Sequence, residues 1–231
     1  MSSIAEALEM LLMMDKELFQ IIGVTLRMSF FSTLISCLIG MPIGVLLEKK
    51  RFRGRLLIKR TASTLMGLPP VVAGLIVYML FTKYGIFGFM GLLFTVDVMV
   101  IAQVMLITPV VICLTSSIVS VSSKSLIEAS KGLGLSFPKS LLLFILHNRK
   151  ALLSVILTAF GRSIAEVGAV SLVGGNIQWK TRVMTTAILL ETNKGKFTFA
   201  LSLGIVLLLI SLVVNVLSSL LTRGGEKDDM L

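Results

Sequence analysis

The chain has 231 residues, of which 55% are hydrophobic and only 15% charged, with a mean hydropathy of +0.98; soluble domains carry roughly 25% charged residues. This excludes an ordinary soluble fold. Because one bilayer crossing takes about 20 apolar residues, the length holds four to six crossings and leaves no room for a separate soluble domain. The net charge of +10 would raise nucleic acid as a partner for a soluble protein, but here its placement between apolar runs reads as topology, and no nucleic-acid partner is expected.

In chain order, residues 1–17 form an extracytoplasmic N-terminal segment. Within it Ile4, Leu8, Leu11 and Leu12 recur at helical spacing while Glu6 and Glu9 fall elsewhere on the wheel, the pattern of a short interfacial helix over residues 4–14. Acids rather than a basic leader open the chain, so the segment is expected to be retained. Five apolar runs follow, at 18–47, 61–82, 98–121, 151–173 and 199–222, each long enough to cross a bilayer. Lipid cannot satisfy free backbone amides, so these are helices, and the fold class is an all-α membrane protein with five transmembrane helices. The stretch at 83–97, interrupted by Gly85, Gly88 and Gly91, is too short to cross and reads as re-entrant or surface-lying. Cys37 and Cys113 each lie inside an apolar run and read as small hydrophobes, with neither a disulfide nor a metal expected.

Cytoplasmic loops retain Lys and Arg. The loops at 48–60 and 122–150 and the tail at 223–231 hold 14 of them, against 6 in segments 1–17, 83–97 and 174–198. That imbalance places the N-terminus outside and the C-terminus inside. The cluster Lys49, Lys50, Arg51, Arg53, Arg55, Lys59 and Arg60 dominates the count, and contact with anionic membrane lipid headgroups accounts for it.

Only two basic residues lie inside the runs, Arg27 and Arg162. Snorkelling to the headgroups accounts for Arg27, with a pore role as the alternative. Arg162 and Glu166 are four apart in the fourth run, a spacing that lets them pair on one helix face, beside Gly161, Ala165, Gly168 and Ala169, which suit close helix contact. Two readings stand: this face lines a translocation path or dimer seam, or the pair is a static clasp between helices. Gly174, Gly175 and Asn176 end that run either as a helix cap or as an anion-holding nest of backbone amides. Lys180, Thr181, Arg182, Thr185 and Thr186 follow and are donors of the kind an oxyanion meets. Pro69 and Pro70 in the second run and Pro109 in the third are expected to kink their helices. His147, the sole histidine, reads as a side chain at the inner membrane edge.

The loop 122–150 carries its own local signals. Ser125 followed by Glu128 is a capping box, Gly132 or Gly134 supplies a stop, and Pro138 follows. They describe a helix of two or three turns, too polar to insert, which is either a solvated connector or a docking element. The segment EASKGLG resembles the EAA loop of ABC importer permeases. Carried over by position, Glu128, Ala129 and Ser130 match the triplet and Gly134 the glycine, implying a coupling helix that docks into a cytoplasmic ATPase. Ser130 replaces an alanine and His147 stands where that family usually has proline, which implies a looser bend.

GLPPVVAGL at 67–75, AQVMLITPV at 102–110, GRSIAEVGAVSLVGGNI from 161 and TRVMTTAILLETNKGKF to 197 resemble permeases for molybdate and, more closely, tungstate. The resemblance implies a type I ABC importer permease fold in a prokaryotic inner membrane. It also implies a second copy of the chain, two cytoplasmic ATPase subunits and an extracytoplasmic oxyanion-binding protein. No cofactor is expected in this chain. ATP and Mg would belong to the partner ATPase, since no G-x-x-x-x-G-K-[ST] occurs and Gly195-Lys196 runs into Phe197. Molybdate and sulfate are the neighbouring substrates. An ion-coupled secondary transporter leaves the EAA-like loop unexplained, and a membrane enzyme lacks a convergent nucleophile, base or metal set.

Overall fold

The computed structural model describes residues 15–49, 52–122, 132 and 134–228. Its regular elements are helical: α1 (Lys16–Lys49), α2 (Arg55–Met66), α3 (Pro70–Phe81), a 3-10 turn (Gly88–Met90), α4 (Val96–Ser122), α5 (Phe137–His147), α6 (Arg149–Ile164), α7 (Gly168–Gly174), α8 (Met184–Asn193) and α9 (Phe197–Asp228). α1, α4 and α9 are long and apolar enough to cross a bilayer unbroken. The count reaches five when α2 with α3 and α5 with α6 are each taken as one bent crossing. The molecule is a multi-pass helical membrane protein. The interfacial helix expected at 4–14 lies outside the described residues.

α1 and α4 form the spine. Ser29, Ser32, Thr33, Ser36, Gly40 and Gly44 recur every three or four residues along α1, the small-residue stripe that lets two membrane helices approach closely. A Cβ added at Gly40 would stand 2.8 Å from Val111 Cγ1, and one at Gly44 would stand 2.7 Å from Thr115 Cβ. The hydroxyls of Ser29, Thr33, Ser36 and Thr115 are buried without hydrogen-bond partners among the described residues, so the interface uses their small size rather than their polarity. Around the spine the apolar core divides into clusters. Met28, Ala73, Val98, Met99 and Val173 form one, and Leu18, Ile21, Met184 and Leu203 form another. α9 leaves Leu208, Leu212, Val216 and Leu220 exposed, a face suited to lipid.

Two of the five expected crossings are not single helices. The run at 61–82 is split between α2, which starts earlier at Arg55, and α3, with a bend of 104° between them. Pro69 and Pro70 supply no amide to continue the α2 ladder, and Pro70 instead opens α3 at its first turn. The kink expected there is a full break. The run at 151–173 stops at Ile164 and resumes as the seven-residue α7 after Ala165, Glu166 and Val167. Pro109, by contrast, sits inside α4, which continues through it.

Two segments assigned to loops also contain helices. α5 occupies part of the loop 122–150, opened by Pro138 in its first turn, and meets α6 at 88°. That bend forms at His147 and Asn148 without a proline, and Asn148 Nδ2 donates to Phe144 O at 3.2 Å. The segment 174–198 is not a surface loop throughout. α8 folds back into the bundle because Met184 and Ala187 bury against Leu18, Ile21 and Leu203. The stretch 83–97 forms turns that leave Tyr84, Ile86 and Phe89 exposed.

Candidate functional site

Ser32, midway along α1, donates to Gln103 Oε1 of α4 at 2.7 Å and lies 2.9 Å from Ser163 Oγ of α6. Ser163 Oγ also donates to Gln103 Oε1, and Gln103 Nε2 donates to Ser163 O at 2.9 Å. All three residues are fully buried. The last carbonyls of a helix lack partners within it, so Gln103 satisfies one of them at the end of α6 and fixes the depth at which the helix stops.

At that depth both broken helices meet. Arg162 Nη2 donates to Met66 O, at the end of α2, over 3.3 Å. The Glu166 carboxylate accepts from Ala169 N at 3.3 Å, and the Glu166 carbonyl accepts from Thr185 Oγ1 at 2.8 Å. Arg162, Ser163 and Glu166 line a narrow cleft with Gln103, Leu106 and Ile107, too tight as it stands to hold a water molecule. The ion pair expected between Arg162 and Glu166 is not formed. α6 ends at Ile164, so the two residues no longer share a helix face. α3 closes over α7 here: a Cβ at Gly74 would stand 2.6 Å from Ala169 Cα.

Gly174, Gly175 and Asn176 lie at the far end of α7, apart from the Arg162 cleft. Gly175 has φ +66° and its amide donates to Ser171 O at 3.1 Å, the left-handed helix cap. A Cβ there would meet the Phe94 ring at 2.7 Å. Asn176 accepts from Thr186 Oγ1 at 3.0 Å and donates to Thr186 O at 3.4 Å. Thr181 Oγ1 accepts from Ile177 N at 3.0 Å and donates to Gly174 O at 2.6 Å. The hydroxyls expected to meet an oxyanion therefore hold this turn together. Thr185 belongs with Glu166, and Met184 N, opening α8, donates to Thr25 Oγ1 of α1 at 2.9 Å.

The two ends of the spine carry separate charge clusters. At the Lys16 end, Glu17 Oε1 accepts from Arg182 Nη1 at 2.9 Å and from Gln178 Nε2 at 2.8 Å. Nearby Lys194 pairs with buried Glu191 at 2.9 Å. At the opposite end Glu48 binds Arg55 and Lys59 and accepts from Ser116 Oγ at 2.6 Å. Two cations of the basic cluster are thus held within the protein. Arg27 is exposed on α1 next to Leu26, Phe30 and Phe31.

Glu128, Ala129 and Ser130 lie outside the described residues. Gly134 is exposed with φ +62°, a backbone conformation that suits glycine. Reading the sequence alone did not single out Ser32, Gln103, Ser163, Glu17 or Thr25. The available signal was Gln103, an amide within an apolar run, where leaving its donors and acceptor unmet costs free energy.

Comparison with known proteins matches residues 40–225 to the family described as binding-protein-dependent transport system inner membrane component. The chain is 39% identical to the tungstate uptake system permease protein TupB of Campylobacter jejuni, covering 94% of this chain and 91% of that one. It is 35% identical to TupB of Peptoclostridium acidaminophilum, covering 90% and 92%. It is 34% identical to a probable anion ABC transporter permease protein of Haloferax volcanii, covering 87% and 89%. Sulfate transport permeases are more distant, at 28% identity over 88% of this chain. A family match over most of the chain, with relatives similar along nearly their whole length, means that the chain belongs to the inner membrane components of binding-protein-dependent transport systems, the permease subunits of ABC importers.

Proposed function

We propose that this chain is the permease subunit of a tungstate importer. The observation that carries this reading is its near full-length similarity to two tungstate uptake permeases, against weaker similarity to sulfate permeases. Membership of an ABC importer family brings an ATPase and a binding protein as partners. In the proposed assembly two copies of this chain form the path, with the N-terminus outside and the C-terminus inside, following the Lys and Arg imbalance between the loops. Five crossings result when each bent pair counts once.

The path runs past Arg162 and Glu166. Non-helical backbone at membrane depth is tolerated only against protein or a water-filled cavity. Two such interruptions, after Met66 and after Ile164, come together here, bridged by the guanidinium of Arg162. Arg162 is exposed and has no carboxylate within 4 Å among the described residues, so it remains available to an anion. Glu128, Ala129, Ser130 and Gly134 belong to the stretch that receives the ATPase stroke. Nucleotide shifts the permease between outward and inward access only by binding one state better than the other.

The test is uptake in proteoliposomes that hold the permease, its ATPase and its binding protein, with tungsten, molybdenum and sulfur counted by mass spectrometry. Tungstate is expected to accumulate with ATP and to stop without it. Preferential uptake of molybdate or sulfate would replace the substrate. Accumulation driven by an ion gradient without ATP would overturn the mechanism.

A further inference from the structure

Apart from the Arg162 cleft, a roomier cavity opens at the Lys16 end of the bundle. It offers about 330 Å³ of space among Glu17, Gln178, Arg182, Glu191, Lys194 and Lys196, with Phe199 at one side. The start of α1, the turn after α7, the end of α8 and the start of α9 all reach it. Its two carboxylates are engaged: Glu17 with Arg182 and Gln178, and Glu191 with Lys194.

The cationic side is not balanced in the same way. Arg182, which lines the cavity, is nine-tenths buried, and its Nε–H, sealed from solvent, has no partner among the described residues. Burying a guanidinium donor without an acceptor is unfavourable. Lys196 is exposed, and its amino group has no partner among the described residues. With three cations against two acids, the cavity carries one excess positive charge, a planar donor and a free ammonium. These are the groups that hold a tetrahedral oxyanion by charge-assisted hydrogen bonds.

We propose that this cavity is a binding site for a free tetrahedral oxyanion, a waiting position at the Lys16 end on the way to the Arg162 cleft, with Arg182 and Lys196 as its ligands. The identity of the ion as tungstate rests on the transport reading above; the site itself does not. The single tryptophan of the chain, Trp179, lies beside Gln178 and three residues before Arg182, so its fluorescence reports on this turn.

The full-length chain in lipid nanodiscs is titrated with sodium tungstate, sodium sulfate and sodium chloride at constant ionic strength. A saturable change in Trp179 emission is expected with tungstate and sulfate but not with chloride. R182K keeps the charge but loses the planar fork, and should weaken tungstate about tenfold. K196Q removes an exposed cation and should weaken it about threefold. Circular dichroism verifies that both variants keep their helix content. The proposal is overturned by the absence of a saturable response, by chloride matching tungstate, or by K196Q binding like the parent chain. Saturable binding in a protein that fails to import tungstate would sink the transport reading and leave the site standing. Import without binding would do the reverse.

Discussion

Gln103 Nε2 donates to the carbonyl of Ser163 across 2.9 Å, from two turns into α4 to the last turn of α6. One amide side chain thereby joins three helices, because its oxygen also accepts from Ser32. Replacing it with leucine leaves Ser32 and Ser163 to bond each other, so the loss is partial. Q103L is expected to destabilise by about 1–2 kcal/mol, since hydrogen bonds between membrane helices average under about 1 kcal/mol each. Thermal denaturation in detergent measures this; an unchanged midpoint would show that the network does not hold the helices.

The contact of α1 with α4 separates two glycines of one helix. At Gly44 an added methyl would stand 2.7 Å from Thr115 Cβ and 2.9 Å from Ile112 O, whereas at Gly23 nothing lies within 4 Å. G44A should cost about 1–3 kcal/mol through overpacking. G23A should be neutral or stabilising by a few tenths of a kcal/mol, since alanine is the better helix former. Melting temperatures of the two variants side by side provide the test, and equal values would contradict the close approach.

Arg162 holds the end of α2 through one hydrogen bond at 3.3 Å to Met66 O. R162Q can preserve that bond while removing the charge. The expected outcome is normal membrane insertion with uptake lowered roughly tenfold, equivalent to about 1.4 kcal/mol. Transport counts in proteoliposomes decide it: full activity in R162Q would reduce Arg162 to a static clasp.

The segment around Glu128 is proposed to meet the ATPase. E128K should leave insertion and helix content intact while uncoupling ATP hydrolysis from uptake. A cysteine at Ser130 should crosslink to a cysteine-bearing ATPase partner. Efficient pumping by E128K, together with no crosslink at any nucleotide state, would remove the coupling role.

The break after Ile164 shows where a sequence argument stops. The spacing of Arg162 and Glu166 invites an ion pair on one helix face, and hydropathy runs on past both residues to Val173. Gln103 and Ser32 secure the end of α6 from other helices, and Thr185 holds the Glu166 carbonyl from α8. The sequence spacing is unchanged, but the helix face it assumes is absent. The Gly174 to Asn176 turn was more legible, because a glycine at φ +66° answers a local backbone demand that a sequence states directly.

The sequence by itself determined the membrane class, the helical character of every apolar run, the imbalance of Lys and Arg between loops and the family. Each of these sums over twenty or more neighbouring residues, or is written in a contiguous motif. Only the tertiary structure decided where two crossings break, that α8 returns into the bundle, and which polar groups meet. Those partners are far apart in the chain, 131 residues between Ser32 and Ser163 and 165 between Glu17 and Arg182. Without water to satisfy them, buried polar groups take whichever partner the packing of distant helices brings within reach.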